Sequence, residues 1–107
     1  MKQILFIINV HPASAAIKSV LKTIQENLNS DTTLHIYFED NGVNFLSDAF
    51  WEQIYQNKIL FYADASDVQK NEMKYREEIV FSSKKSLAQL RESVDKIIYA
   101  NNQGRKV

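Results

Sequence analysis

The sequence predicts an α/β domain with three layers, α/β/α, around a five-stranded, mainly parallel sheet. Three observations carry this expectation. Short apolar, β-branched or aromatic runs recur at residues 4–10, 34–38, 58–63, 78–81 and 96–99. Segments with helical periodicity or capping residues lie between them, and strands alternating with helices imply right-handed crossovers and a parallel sheet. The first run is apolar on both sides, as a strand covered by helices on both faces must be.

The first strand is ILFIINV, residues 4–10, and Pro12 ends it. Ser14 is placed to cap the next helix, because its hydroxyl can accept a free amide of the first turn. Ala16, Ile17, Val20, Leu21, Ile24 and Leu28 then recur at three- and four-residue steps, giving one apolar stripe that Asn29, Ser30 and Asp31 close. In the second strand, residues 34–38, Leu34, Ile36 and Phe38 point one way and His35 and Tyr37 the other. Glu39, Asp40, Asn41 and Gly42 read as a turn. A short helix is predicted over 47–56, with Phe50, Trp51, Ile54 and Tyr55 as its apolar face. The third strand is 58–63. A polar helix capped by Ser66 or Asp67 runs from there to Lys74. The fourth strand, 78–81, leads to a helix capped by Ser83 or Ser86 and carrying Leu87, Leu90 and Val94. The fifth strand is 96–99. One domain is expected over residues 1–100, followed by a polar tail over 101–107.

Composition narrows the function. A chain of 107 residues suits one domain, and 45% hydrophobic with 24% charged residues is enough for a core without staples. Basic and acidic residues number 13 each, so nothing steers the whole chain toward nucleic acid or an anionic membrane. Lys84 and Lys85 are a pair, not a patch. The absence of cysteine excludes disulfides, thiolate zinc sites and iron–sulfur clusters. Glycine occurs only at 42 and 104, so neither GxGxxG nor the P-loop pattern can be written. Lys2, the apolar run and Ala13-Ser14-Ala15 mimic a secretory signal. The run is only seven residues long and Asn9 interrupts it, so a buried strand is the better reading. No stretch approaches the ~20 apolar residues of a spanning helix. A cytoplasmic protein without membrane or nucleic-acid partners is expected.

Ligands of open parallel sheets bind beyond the carboxyl ends of the strands. The candidate edge is His11 and Ser14 after the first strand, Asp40 and Asn41 after the second, and Asp64 and Ser66 after the third, with Asn9, Glu39, Asp67, Ser82 and Ser83 nearby. That edge is acidic and does not attract phosphate. His11, at a strand-to-helix junction, is the most plausible chemical residue, although a lone imidazole lacks the orienting partner that catalysis needs. The bland reading is a loop histidine bonded to backbone. His35, in mid-strand, reads as packed. His11 with Glu39, Asp40, Asp64 or Asp67 matches no metal motif, so neither metal nor cofactor is expected. Phe45, Phe50, Trp51 and Tyr55 read as helix-to-sheet packing, or alternatively as a subunit contact.

The run Tyr37-Phe38-Glu39-Asp40-Asn41-Gly42-Val43 resembles the end of strand two in the DsrE/DsrF/DsrH and TusB/TusC/TusD family. There an aromatic pair precedes a "DGV" or "EGV" turn; this chain has one extra residue between the acid and Gly42. Residues 87–100 (LAQLRESVDKIIYA) are similar to the family ending, a helix leading into an Asp and a short apolar strand. The resemblance spans nearly the whole chain through short, degenerate motifs. It implies a five-stranded parallel DsrE-like domain, a cytoplasmic location, and assembly into dimers, trimers or hexamers or with related DsrE-like subunits. Some members carry a persulfide on a cysteine near the end of strand three and relay it in tRNA thiolation or sulfur oxidation. In this chain that position aligns with Tyr62, and a phenol cannot replace a thiolate there. The resemblance therefore implies a non-catalytic member that acts through assembly or as partner of a sulfur-relay system without itself carrying persulfide. The alternative is a small-ligand binder using the polar edge. An acid/base enzyme at that edge is the weakest reading, since the sequence shows no nucleophile–base–orienter set.

Overall fold

The computed structural model describes residues 2–10, 16–28, 31–46, 59–71 and 79–100. Five strands form one sheet: β1 (Lys2–Ile8), β2 (Thr32–Phe38), β3 (Ile59–Asp64), β4 (Ile79–Ser82) and β5 (Lys96–Ala100). The helices are α1 (Ala16–Asn27), α2 (Ala65–Lys70) and α3 (Lys84–Ser93), with a 3₁₀ helix over Asp40–Leu46. The strand order is β4-β3-β2-β1-β5 and every pairing is parallel. The three-layer α/β/α expectation holds. All carboxyl ends meet at one edge of the sheet.

The two faces follow from period-two alternation. Ile4, Phe6 and Ile8 of β1, Leu34, Ile36 and Phe38 of β2, and Ile59, Phe61 and Ala63 of β3 pack into one buried cluster with Val20 and Ile24 of α1. Val43, Phe45 and Leu46 of the 3₁₀ helix and Val68 of α2 complete it. On the opposite face Leu5, Ile7 and Tyr37 are buried with Leu87 of α3. The register aligns Val80, Tyr62, Tyr37, Ile7 and Tyr99 in one row across the sheet. Phe45 stacks on Phe38 with ring centroids 6.3 Å apart and is core, as the packing reading required. Phe50, Trp51 and Tyr55 lie outside the described residues.

Several local expectations are corrected. β1 begins at Lys2, because pairing with β2 needs only backbone and extends past the apolar run. It ends at Ile8, so Asn9 and Val10 follow the strand. The expected turn at 39–42 is the entry to the 3₁₀ helix, because Val43, Phe45 and Leu46 bury against the sheet and hold the chain there. Helix α2 is capped by Asp64, not by Ser66 or Asp67: Asp64 has extended backbone and its carboxylate accepts the Asp67 N–H. It stops at Lys70 rather than Lys74. Asn71 closes it, donating from both its backbone N–H and its Nδ2 to the Asp67 carbonyl. At α3 the open choice of cap resolves to Ser83, whose Oγ accepts the Ser86 N–H. The predicted helix over 47–56 lies outside the described residues.

Candidate functional site

Glycine 42 organises the carboxyl edge. The Glu39 N–H bonds to the Ile8 carbonyl at 3.0 Å and the Gly42 N–H to the Glu39 carbonyl at 2.8 Å. A Cβ on Gly42 would run into the Ile8 carbonyl oxygen, so only glycine fits where the 3₁₀ helix crosses the end of β1. Asp40, the acid two residues before Gly42, takes a left-handed conformation (φ 50°). Its backbone N–H donates to Asp67 Oδ2 at 2.7 Å, which compensates that conformation.

The acidic groups of the edge are already engaged. Asp64, only 3% exposed, uses Oδ1 to cap α2, accepting the Asp67 N–H at 3.1 Å. Lys84, in the first turn of α3, places Nζ 2.8 Å from Glu39 Oε1, 3.6 Å from Asp64 Oδ2 and 3.8 Å from Asp67 Oδ2. Burial alone would pull the Lys84 ammonium down. The Glu39 hydrogen bond and charge, followed by the charges of Asp64 and Asp67, outweigh that and hold it above the ordinary lysine range. One ammonium among three carboxylates leaves the edge net negative, so phosphate is not favoured. Of the sequence candidates, Asp40 and Asn41 are exposed on the 3₁₀ helix and Ser66 is exposed on α2. Asp40 and Asp64 are joined through Asp67, while Asn41 and Ser66 stand apart from that cluster. His11 and Ser14 lie outside the described residues. Among the described residues no group of His, Cys, Asp and Glu is placed to hold a metal ion.

The opposite face holds a second arrangement that sequence reasoning missed. His35 Nε2 lies 2.6 Å from Gln3 Oε1, and Nδ1 lies 3.0 Å from the Tyr62 hydroxyl. An amide oxygen only accepts, so Nε2 carries the proton and Nδ1 accepts the Tyr62 O–H. Burial pushes the His35 pKa down and the Tyr62 pKa up, so both are neutral near pH 7. The imidazole stacks on the Tyr62 ring (centroids 5.9 Å, 24°), and Tyr62 on Tyr37 (6.4 Å, 17°). The Tyr37 hydroxyl donates to the Ser83 carbonyl at 3.3 Å. Its pKa is pushed up to about 12, first by burial, then by the Asp64 charge, against smaller opposing effects of Lys84 and Ser82.

Beside this stack runs a groove of about 440 Å³, floored by Tyr37, Tyr62 and Val80 and walled by Ser86, Gln89 and Leu90 of α3. Tyr62 is therefore a floor residue whose proton is engaged. The Gln3–His35–Tyr62 chain looks like an orienter, a base and a hydroxyl. With a raised phenol pKa it is a hydrogen-bond relay and not an activated nucleophile. The signal available in the sequence was alternation alone, which puts His35 and Tyr37 on one face; their partners depend on register.

Fold and site together define a small α/β domain with a five-stranded, all-parallel sheet. No family model matches the chain, and no curated protein does. Among solved structures, the crystal structure of the ychN protein from E. coli is similar to it, with a TM-score of 0.77 over 92% of this chain and 99% of that one. The likeness supports the DsrE-like fold, and at 16% identity it carries the fold alone. No helix of the described residues is long and apolar enough to cross a membrane.

Proposed function

We propose that this chain is a cysteine-less, cytoplasmic DsrE-like protein that acts by assembly, with copies of itself or with related subunits of a sulfur-relay system, and carries no persulfide. The observation that carries the reading is the state of the relay position. Tyr62 stands there with its hydroxyl bound to His35, and a neutral phenol offers no thiolate to accept sulfane sulfur. Assembly draws support from the same sheet face, where Leu60 is 46% exposed and Val80, on the groove floor, 58%. Adjacent exposed apolar side chains of this kind mark contact surfaces.

Sedimentation velocity on the purified chain, with sulfane-sulfur assay by cyanolysis after exposure to a persulfide-loaded sulfurtransferase, tests both parts. The expected result is an oligomer that gains no sulfane sulfur. A clean monomer that also fails to bind a cysteine-bearing DsrE-like subunit would falsify the assembly role. The alternative reading, a ligand at the polar edge through Asp40, Asn41, Asp64 and Ser66, draws less support. Asp64 and its neighbour Asp67 are buried and already bonded to Lys84 and to backbone amides.

A further inference from the structure

We infer that the groove between α3 and the Tyr37–Tyr62 row is a binding site for a small, uncharged aromatic molecule bearing a hydrogen-bond donor. The size fits: about 440 Å³ lies within the roughly 300–1,000 Å³ typical of small-molecule sites. The absence of charge selects the ligand class. Among the described residues the groove is lined by aromatic, aliphatic, hydroxyl and amide side chains, with no ionised group. A charged ligand entering it would lose hydration without compensation. On α3, Lys84 is turned to Glu39 at 2.8 Å and Arg91 lies over the Tyr99 ring, 5.4 Å from its centroid.

Hydrogen-bond direction selects the donor. Gln3 fixes the imidazole proton on Nε2, so Nδ1 takes the Tyr62 proton, and the Tyr62 oxygen keeps only acceptor capacity for a guest. The Tyr37 proton is likewise committed, to the Ser83 carbonyl. The Tyr62 oxygen thus presents the acceptor, while Tyr37 is fully buried beneath it, and their near-parallel rings, 17° apart, favour an aromatic guest. A ligand that only accepts hydrogen bonds would leave the acceptor capacity of the Tyr62 oxygen unpaired on closure. The role of Gln3 and His35 is to orient Tyr62, and neither lines the groove. This site is separate from the polar edge and does not depend on the assembly reading.

Phenol and its isostere toluene, titrated separately into the ¹⁵N-labelled protein, test the inference. Phenol is expected to shift the amide resonances of Tyr62, Ser82 and Gln89 and to bind about threefold to tenfold more tightly than toluene, the worth of one neutral hydrogen bond. In Tyr62→Phe the preference for phenol should vanish while toluene binds as before. Ser86→Trp, which fills the groove from its helical wall, should abolish both; Gln89→Trp does the same from the next turn should Ser86→Trp not fold. Equal binding of phenol and toluene to the wild type, no binding of either, a preference that survives Tyr62→Phe, or undiminished binding to a folded tryptophan variant would each overturn the site.

Discussion

The two faces of the sheet are built from the same strands by alternation, yet they finish differently. On the face under α1, α2 and the 3₁₀ helix, Ile4, Phe6, Ile8, Leu34, Ile36, Phe38, Ile59, Phe61 and Ala63 of β1, β2 and β3 are all buried and apolar. On the face under α3, Leu5, Ile7 and Tyr37 are buried, while the same rows run on into Leu60, Val80 and the relay His35–Tyr62. Helix α3 packs against β1 and its contacts thin out toward β3 and β4. The difference teaches where stability and recognition are divided. One face is a closed core. The other is closed only at its centre and leaves aromatic and apolar groups open toward β4.

The largest expected effect probes that division directly. Phe6→Ala, on the closed face, should cost about 3–5 kcal/mol through lost burial and the cavity left behind. Leu60→Ala, on the open flank, should cost about 1 kcal/mol or less, because nearly half of that side chain already meets water. Urea unfolding of the two variants measures both, and equal costs would erase the distinction between the faces.

A second test sits where the open face meets the acidic edge. The Tyr37 phenol, pushed up to about 12 in the fold, titrates near 10 when unfolded. Above pH 10 the unfolded chain releases this proton and the folded chain keeps it, so stability present below pH 10 is lost as pH rises toward 12. The loss should amount to about 2–3 kcal/mol at most. Tyr37→Phe removes this titration and should flatten that part of the alkaline limb, read as thermal stability between pH 9 and pH 11.5. Parallel decline of both proteins would mean that burial of Tyr37 is not what sets the limb.

Much of this division was legible in the sequence. The alternation of Leu34, Ile36 and Phe38 against His35 and Tyr37 assigned faces correctly. The 3₁₀ helix was not legible, because Asp40, Asn41 and Gly42 read as a turn by local preference while burial of Val43 and Phe45 decides the geometry. The Asp64 cap was hidden because a last strand residue and a cap look alike in a string of letters. The relay could not be read at all. Gln3 and Tyr62 lie 32 and 27 positions from His35, on separate strands, and only the register brings them together. Lys84 looked like half of a charge pair until the strand ends placed three carboxylates around it.

Removing that lysine should have an intermediate effect. Lys84→Met leaves Glu39, Asp64 and Asp67 without their shared counter-ion. Breaking a fully buried pair costs about 3–5 kcal/mol. The Lys84 side chain is 58% exposed, so solvent screening reduces the expectation to about 1–2 kcal/mol. The deficit should shrink as added salt screens the charges, which urea titrations at low and high ionic strength resolve. A deficit that persists at high ionic strength would assign the loss to packing of the lysine stem instead of charge.

The smallest effect on stability should come with the largest effect on assembly. Among the described residues Val80 is the most exposed large apolar side chain, and it ends the row that begins at Tyr99. With so little of its side chain removed from water in the single chain, Val80→Ser should change unfolding free energy by no more than about 0.5 kcal/mol. In a contact between chains the same methyl groups would be buried, and a serine hydroxyl there would lose its water without gaining a fixed partner. Sedimentation velocity across a dilution series should therefore show Val80→Ser dissociating at higher protein concentration than wild type, with secondary structure unchanged by circular dichroism. Identical dissociation of the two proteins would place any contact elsewhere on the molecule and leave the open flank to its groove alone.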